Sequence, residues 1–160
     1  MNRSDDIFTQ LEAFRDHECP RFQLQSRRLN IEGIRIAGGY QVTTTIRGVR
    51  FRFTAILSHE DTTYLLVWAT NGGWTLDRID TPDRSIATEL FQQFIGFAYS
   101  IIEAQPEICY FECKADPGDQ FRIRFYTKAT EVIARRLHAT YVIRPFKNAT
   151  EFRITLPEKT

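Results

Sequence analysis

The chain has few of the features that mark secreted or membrane proteins. Its three cysteines are an odd number and do not make a disulfide framework, so a reducing cytosol is the simplest compartment. Residues 1–6 are polar and acidic and lack the apolar core of a signal peptide. No run approaches the roughly 18 apolar residues that a membrane-spanning helix needs. We therefore predict a cytoplasmic protein that does not bind membranes.

A strong excess of one charge is also missing. The chain carries 21 basic and 20 acidic residues, for a net charge of +1. Such a chain has no bulk field that would attract nucleic acid, so we expect no general nucleic-acid binding. Two local groups of arginine are compatible either with a local acidic partner or with an ordinary solvated surface. They are Arg47, Arg50 and Arg52 on a hairpin, and Arg122, Arg124, Arg135 and Arg136 along a helix.

Apolar and aromatic residues are plentiful. Hydrophobic residues make up 42% of the chain and aromatic residues 13%, with 13 phenylalanines. A chain of 160 residues with this composition can build a real core and falls within the size of one domain. We predict a single domain over residues 1–160. The phenylalanines favour either an aromatic core or an apolar surface reserved for a partner.

The first half of the chain changes from helical to strand periodicity. Apolar residues at spacings of three and four predict a helix that ends before Pro20, so that residues 1–20 pack as a helix on the sheet. Alternating apolar residues then predict strands up to residue 69, with turns at Gly38-Gly39, Arg47-Gly48 and residues 58–62. The nearly continuous apolar run at residues 63–69 predicts a strand covered on both faces.

The second half alternates helices and strands. An aspartate-rich loop precedes a helix with a wide apolar stripe that ends near Ala104. A strand over residues 108–113, a helix that Asp116 or Asp119 can cap and that runs to about His138, and strands over residues 141–146 and 151–156 follow. Pro145 suits an edge strand or a bulge. The predicted fold class is α+β, with a mixed, mostly antiparallel sheet and helices on both faces.

The most informative local pattern is the start of the last helix, Gln120-Phe121-Arg122-Ile123-Arg124-Phe125-Tyr126. It resembles the closing segment of GNAT-type acyltransferases, where Asn, Arg, Ala, a variable residue, an aliphatic residue and Tyr open the last helix. Arg122, Ile123, Phe125 and Tyr126 follow that rhythm, and Asp119 takes the usual place of the Asn. GNAT-like proteins encoded by bacteriophages are similar in the same region. The resemblance covers residues 40–156 in element order, but only residues 108–129 at residue level.

The resemblance implies a reaction and a cofactor. In GNAT enzymes the tyrosine is the general acid that protonates the departing thiolate of coenzyme A, and Tyr126 would take that role with acetyl-CoA as donor and an amine as acceptor. An amphipathic tyrosine packed on the sheet is the alternative explanation of the same residue. Glu112 lies on the preceding strand, where it would act as general base through a water molecule or pair with an arginine.

One departure from the family bears directly on the cofactor. GNAT enzymes hold the coenzyme A pyrophosphate with a glycine-containing loop before the central helix, because glycine lets the backbone approach the phosphates. Here residues 79–85 contain no glycine, and Pro82 lacks an N–H. Arg84 and Ser85 are what remain to bind the cofactor.

Two functions from different classes follow. The first is a GNAT-like domain with a degenerate coenzyme A site that acts by binding a protein, for example as a phage or mobile-element accessory factor. The second is an active N-acyltransferase. Cys109 and Cys113 lack further ligands at zinc-site spacing, so we expect no metal. The oligomeric state stays open, a dimer included.

Overall fold

The computed structural model describes residues 15–31, 33–57, 62–69 and 84–158. A short 3-10 turn at Asp16–Glu18 precedes four strands, which are β1 (Arg27–Ile31), β2 (Ile34–Ile46), β3 (Val49–Leu57) and β4 (Thr62–Ala69). The elements that follow in the described residues are helix α1 (Arg84–Ala104), strand β5 (Tyr110–Ala115), helix α2 (Gln120–Leu137) and strands β6 (Thr140–Phe146) and β7 (Ala149–Thr155). The predicted α+β class and the mostly antiparallel sheet are confirmed.

All seven strands form one sheet in the order β1-β2-β3-β4-β5-β7-β6. The sheet consists of two antiparallel groups, β1 to β4 and β5-β7-β6. A parallel pairing of β4 with β5 joins the groups, and α1 is the crossover between these two strands. Parallel neighbours need such a long connection because a tight turn cannot reverse the chain direction twice.

The predicted turn at Arg47-Gly48 is confirmed, whereas the one at Gly38-Gly39 is wrong. Arg47 and Gly48 have φ of 49° and 81° and join the paired residues Ile46 and Val49. Gly38 and Gly39 lie inside β2, and the chain turns earlier, at Gly33 with φ of 80°. A Cβ at Gly39 would collide with the carbonyl oxygen of Ala55 and the side chain of Leu29, so this glycine permits close packing of neighbouring strands.

Helix α1 lies at the centre of the core. Its side chains are buried on almost every side, including Leu90, Phe94, Phe97 and Ile101 of the predicted stripe. Ring contacts at 6.1 and 5.6 Å between centroids join Phe53 of β3 to Phe94 and Phe97. Offset and edge-to-face packing of this kind adds to the hydrophobic stabilisation of the buried rings.

Helix α2 begins and ends as the sequence predicts. The side chain of Asp119 accepts a hydrogen bond from the Arg122 backbone N–H at 3.0 Å, which caps the first turn. His138 ends the helix in the left-handed conformation with φ of 54°. Arg135 and Arg136 lie in the last turn, where cations interact favourably with the helix dipole.

Both described helices pack on the same face of the sheet, and the prediction of a helix on the other face stays a prediction. Phe94 of α1 contacts Phe125 and Tyr126 of α2 at 5.3 and 5.9 Å. The strand register places Phe53, which contacts α1, and Phe152, which contacts Tyr126, on this one face. The remaining helix of the prediction, at residues 1–20, lies mostly outside the described residues, as does the loop at residues 70–83.

Candidate functional site

The junction between β4 and β5 is the place where the family resemblance would locate a cofactor cleft. Pairing between these strands runs from Thr62 opposite Tyr110 to Tyr64 opposite Glu112. Beyond that point β4 continues to Ala69 and pairs only with β3, while β5 continues to Ala115 and pairs only with β7. The C-terminal parts of two parallel strands are therefore not hydrogen-bonded to each other.

Tyr126 lies inside the core. Its side chain is only 1% exposed, and its ring contacts Phe94, Phe125 and Phe152 at 5.8 to 5.9 Å between centroids. Helical periodicity explains this position, because Phe125, Tyr126, Ala129 and Ile133 share the buried side of α2. The arrangement matches the alternative that the sequence left open, an amphipathic tyrosine packed on the sheet.

Glu112 lies on the opposite face of the sheet from Tyr126. Its neighbours Phe111 and Cys113 are on the helix-covered face, and side chains alternate along a strand. Glu112 is 6% exposed, and Arg153 Nε lies 3.3 Å from its Oε1, although this contact lacks hydrogen-bond geometry. The Arg153 guanidinium also stacks 4.0 Å from the Tyr110 ring centroid. The structure thus separates the two predicted catalytic residues and gives Glu112 a paired position.

Arg84 and Ser85 open α1. Their backbone N–H groups belong to the first turn of the helix, the part that can bind an anion. Their side chains and the loop before them lie outside the described part of the structure. The predicted cofactor-binding role of Arg84 and Ser85 therefore stays a prediction.

A second candidate site is strand β6 at the edge of the sheet. All seven of its residues are exposed, and they include large apolar side chains. Tyr141 is 43% exposed, Val142 54%, Ile143 38% and Phe146 38%. Pro145 lies in this strand, so its predicted edge position is confirmed. Natural proteins generally protect sheet edges with charges, prolines, bulges or covering segments, and β6 has Arg144 and Pro145 among its otherwise mostly apolar exposed side chains.

The backbone of β6 offers hydrogen-bonding groups to a further strand. Pro145 has no N–H, so its pair with Thr150 cannot be one that exchanges two hydrogen bonds. Hydrogen-bonded and non-hydrogen-bonded pairs alternate, so Ile143 and Tyr141 are also in pairs that do not bond to β7. Their N–H and C=O groups point away from β7, to the outer edge of the sheet, where no other strand of the described residues pairs with them.

Cationic side chains surround the exposed ring at the end of β6. Lys114 Nζ, Lys147 Nζ and Arg144 Cζ lie 5.2, 5.5 and 6.0 Å from the Phe146 ring centroid. Arg144 Nη2 is also 3.4 Å from Glu151 Oε1, and the Glu151 side chain is 4% exposed. We call Phe146 with Lys114, Arg144 and Lys147 the basic hairpin tip. The basic hairpin tip was not predicted from the sequence, because Lys114 meets the other three residues only through strand pairing.

The cysteines occupy two kinds of environment. Cys109 is exposed, whereas Cys19 and Cys113 are buried. Burial raises the pKa of the Cys113 thiol far above its ordinary value, and the charge of Glu112 adds to the effect. In the described residues no group of three His, Cys, Asp or Glu side chains is placed to hold a metal ion.

Comparisons with known proteins assign no family or function to the chain. The chain matches no protein-family model, no curated protein and no solved structure. Within the described residues, α1 and α2 are not long and apolar enough to cross a membrane.

Proposed function

We propose that this chain is a protein-binding domain that captures an extended segment of a partner along the free edge of β6. The single observation that carries the proposal is the exposure of this strand along its whole length, with apolar side chains on both of its faces. The partner segment would add an eighth strand to the sheet. Main-chain hydrogen bonds would give affinity, and side-chain contacts would give selectivity.

The predicted catalytic residues support binding over catalysis. Tyr126 is packed among aromatic rings, and Glu112 is on the other face of the sheet beside Arg153. These positions fit structural roles for both side chains. In this proposal a GNAT-like fold with a degenerate coenzyme A site serves as a scaffold that presents β6.

A proline substitution tests the proposal without disturbing the β6–β7 pairing. Ile143→Pro removes an N–H that points to the free edge, and Pro145 already occupies an equivalent position of the same strand. Peptides selected from a randomised display library on the immobilised protein should shift the amide resonances of Tyr141 and Ile143 in NMR spectra. We expect Ile143→Pro to lower the affinity for the selected peptides about tenfold or more, which corresponds to about 1.4 kcal/mol of binding free energy.

The matched control is Ile143→Val, which keeps the donor and the apolar character. It should bind the selected peptides nearly as well as the original chain. Selected peptides that shift resonances on another surface, or that bind Ile143→Pro and the original chain equally, would contradict the proposal.

An N-acyltransferase is the second candidate, because one observation favours it. The pairing of β4 with β5 ends after Tyr64 and Glu112. The resemblance to GNAT enzymes implies that such strands separate beyond this point and leave a cleft for the cofactor. In that case Arg84, Ser85 and the free N–H groups of the first turn of α1 would bind acetyl-CoA, and Tyr126 would donate the proton.

Calorimetric titration of acetyl-CoA separates the two candidates. Micromolar binding that is lost in Arg84→Glu and kept in Arg28→Glu, a charge reversal on β1, would support the enzyme. Absence of heat at millimolar acetyl-CoA would eliminate it and leave the binding domain.

A further inference from the structure

We infer that the segment bound along β6 is one in which acidic and apolar residues alternate. This inference rests on the proposed function and specifies the chemistry of the partner. It follows from the two faces of β6, which differ in charge. A strand added to the edge would point successive side chains to alternate faces, so each face selects every second residue of the partner.

One face of β6 carries the basic hairpin tip. The register places Lys114, Glu151 and Arg144 in one row across β5, β7 and β6, so these side chains share a face. Val142 and Phe146 are on the same face of β6, because they are two residues to either side of Arg144. Glu151 in this row is buried beside Arg144, and Lys114, Arg144 and Lys147 lie around the exposed Phe146 ring, so positive charge is concentrated at this end of β6.

The other face of β6 is apolar at the edge. Tyr141 is paired with Ile154 and Ile143 with Phe152, and both partners belong to the helix-covered core face. The exposed fractions of Tyr141 and Ile143 extend that core to the sheet edge. Apolar side chains of an added strand would pack against them and leave water, whereas a charged side chain there would lose part of its hydration.

Together the two faces define the complementary strand. Residues opposite Arg144 and Phe146 would be acidic, since carboxylates can pair with Lys114, Arg144 and Lys147. Residues between them would be apolar and contact Tyr141 and Ile143. Cross-strand pairs of opposite charge and of apolar side chains both stabilise a sheet.

Fluorescence anisotropy with three synthetic peptides tests this inference. The first is fluorescein-labelled Thr-Glu-Val-Glu-Val-Glu-Val-Thr. The second has lysine in place of each glutamate, and the third has the composition of the first with the three glutamates placed together. We expect the alternating acidic peptide to bind about tenfold more tightly than either of the others. Its affinity should fall as salt is raised from about 0.05 to 0.5 M, because salt screens exposed charges.

Charge reversal at the basic hairpin tip provides the specific control. The double variant Lys114→Glu and Lys147→Glu leaves the Arg144–Glu151 pair in place and should reverse the preference, so that the lysine peptide binds more tightly. Ile143→Pro should weaken the favoured peptide in both backgrounds. A double variant that still prefers the acidic peptide would overturn the inference.

The remaining outcomes distinguish this inference from the proposed function. If the acidic and lysine peptides bind equally and Ile143→Pro weakens both, the edge binds strands but the inferred chemistry is wrong. If none of the peptides binds at millimolar concentration, the inference is wrong, whatever the display library selects. Labelled oligo-thymidine that displaces the acidic peptide would show that the basic hairpin tip binds nucleic acid. Dimers in analytical ultracentrifugation that Ile143→Pro abolishes would show that a second copy of the chain occupies the edge. Either result would overturn the inference.

Discussion

The two edge strands of the sheet, β1 and β6, differ in how far their side chains protect them from pairing with another chain. Strand β1 is short, carries Arg27, Arg28 and Asn30 as exposed residues, and has a register irregularity between Arg27 and Leu29. Strand β6 is longer and exposes four large apolar side chains. Charges and bulges prevent edge-to-edge association, so β1 is a protected edge. Strand β6 has Arg144 and Pro145 as protecting residues, but its other large exposed side chains are apolar, so β6 is the less protected of the two edges.

The largest expected effect comes from the core that supports both edges. Phe94 of α1 is fully buried. Its ring contacts Phe53 of β3 in one half of the sheet, and it contacts Phe125 and Tyr126 of α2, the helix that packs on the other half. Phe94→Ala should lower the free energy of unfolding by about 3–5 kcal/mol. Urea denaturation followed by circular dichroism would measure it. A loss below about 1 kcal/mol would show that the two halves of the sheet do not share this core.

The protected edge can be disturbed by one methyl group. Gly39→Ala places a Cβ against the Ala55 carbonyl oxygen and Leu29, and should destabilise the protein by about 1–3 kcal/mol. Gly38→Ala is the matched control, because its Cβ would meet only Leu57 Cδ1 at 4.0 Å. Hydrogen exchange of β1 amides should accelerate in the first variant and change little in the second. Equal effects would contradict the proposed packing of β1 on β2.

Alkaline pH should weaken the half of the sheet that bears β6. Because burial raises the pKa of Cys113 in the folded state, unfolding above the ordinary thiol pKa of about 8.5 releases a proton and becomes easier. The stability is present below that pH and is lost as the pH rises. Cys113→Val should lose less stability than the original chain between about pH 8 and pH 10. Thermal unfolding at each pH would measure these losses, and an equal loss of stability in Cys113→Val and in the original chain would contradict burial of the thiol.

The smallest expected effect on stability comes from adding a charged side chain to β6, like those that β1 carries. Val142→Lys places a charge on an exposed edge position, so unfolding free energy should change by about 0.5 kcal/mol or less. The alternating acidic peptide should nevertheless bind more tightly, because Val142 shares a face with Arg144 and the added cation can pair with a glutamate of the peptide, while Arg28→Lys on β1 should leave its affinity unaltered. An affinity that is unchanged in Val142→Lys, measured by fluorescence anisotropy, would contradict binding of the peptide along β6.

The accuracy of sequence prediction varied with the range of the interaction. The Arg47-Gly48 turn was predicted, and Asp119 was one of the two predicted caps of α2, because both features depend on residues within four positions of each other. Gly38-Gly39 was misjudged, because a glycine pair favours a turn and a close approach of strands equally. Tyr126 had two explanations, and its burial depends on Phe94 and Phe152, which are distant in the chain.

The sequence by itself determined the α+β class, the C-terminal ends of α1 and α2, and the edge character implied by Pro145, because periodicity and the missing N–H of proline act locally. Only the tertiary structure decided that both described helices share one face, that Glu112 and Tyr126 lie on opposite sides of the sheet, and that Lys114 joins Phe146 and Lys147. Strand register makes those decisions. It depends on how apolar faces from distant segments are buried together, which no single segment encodes.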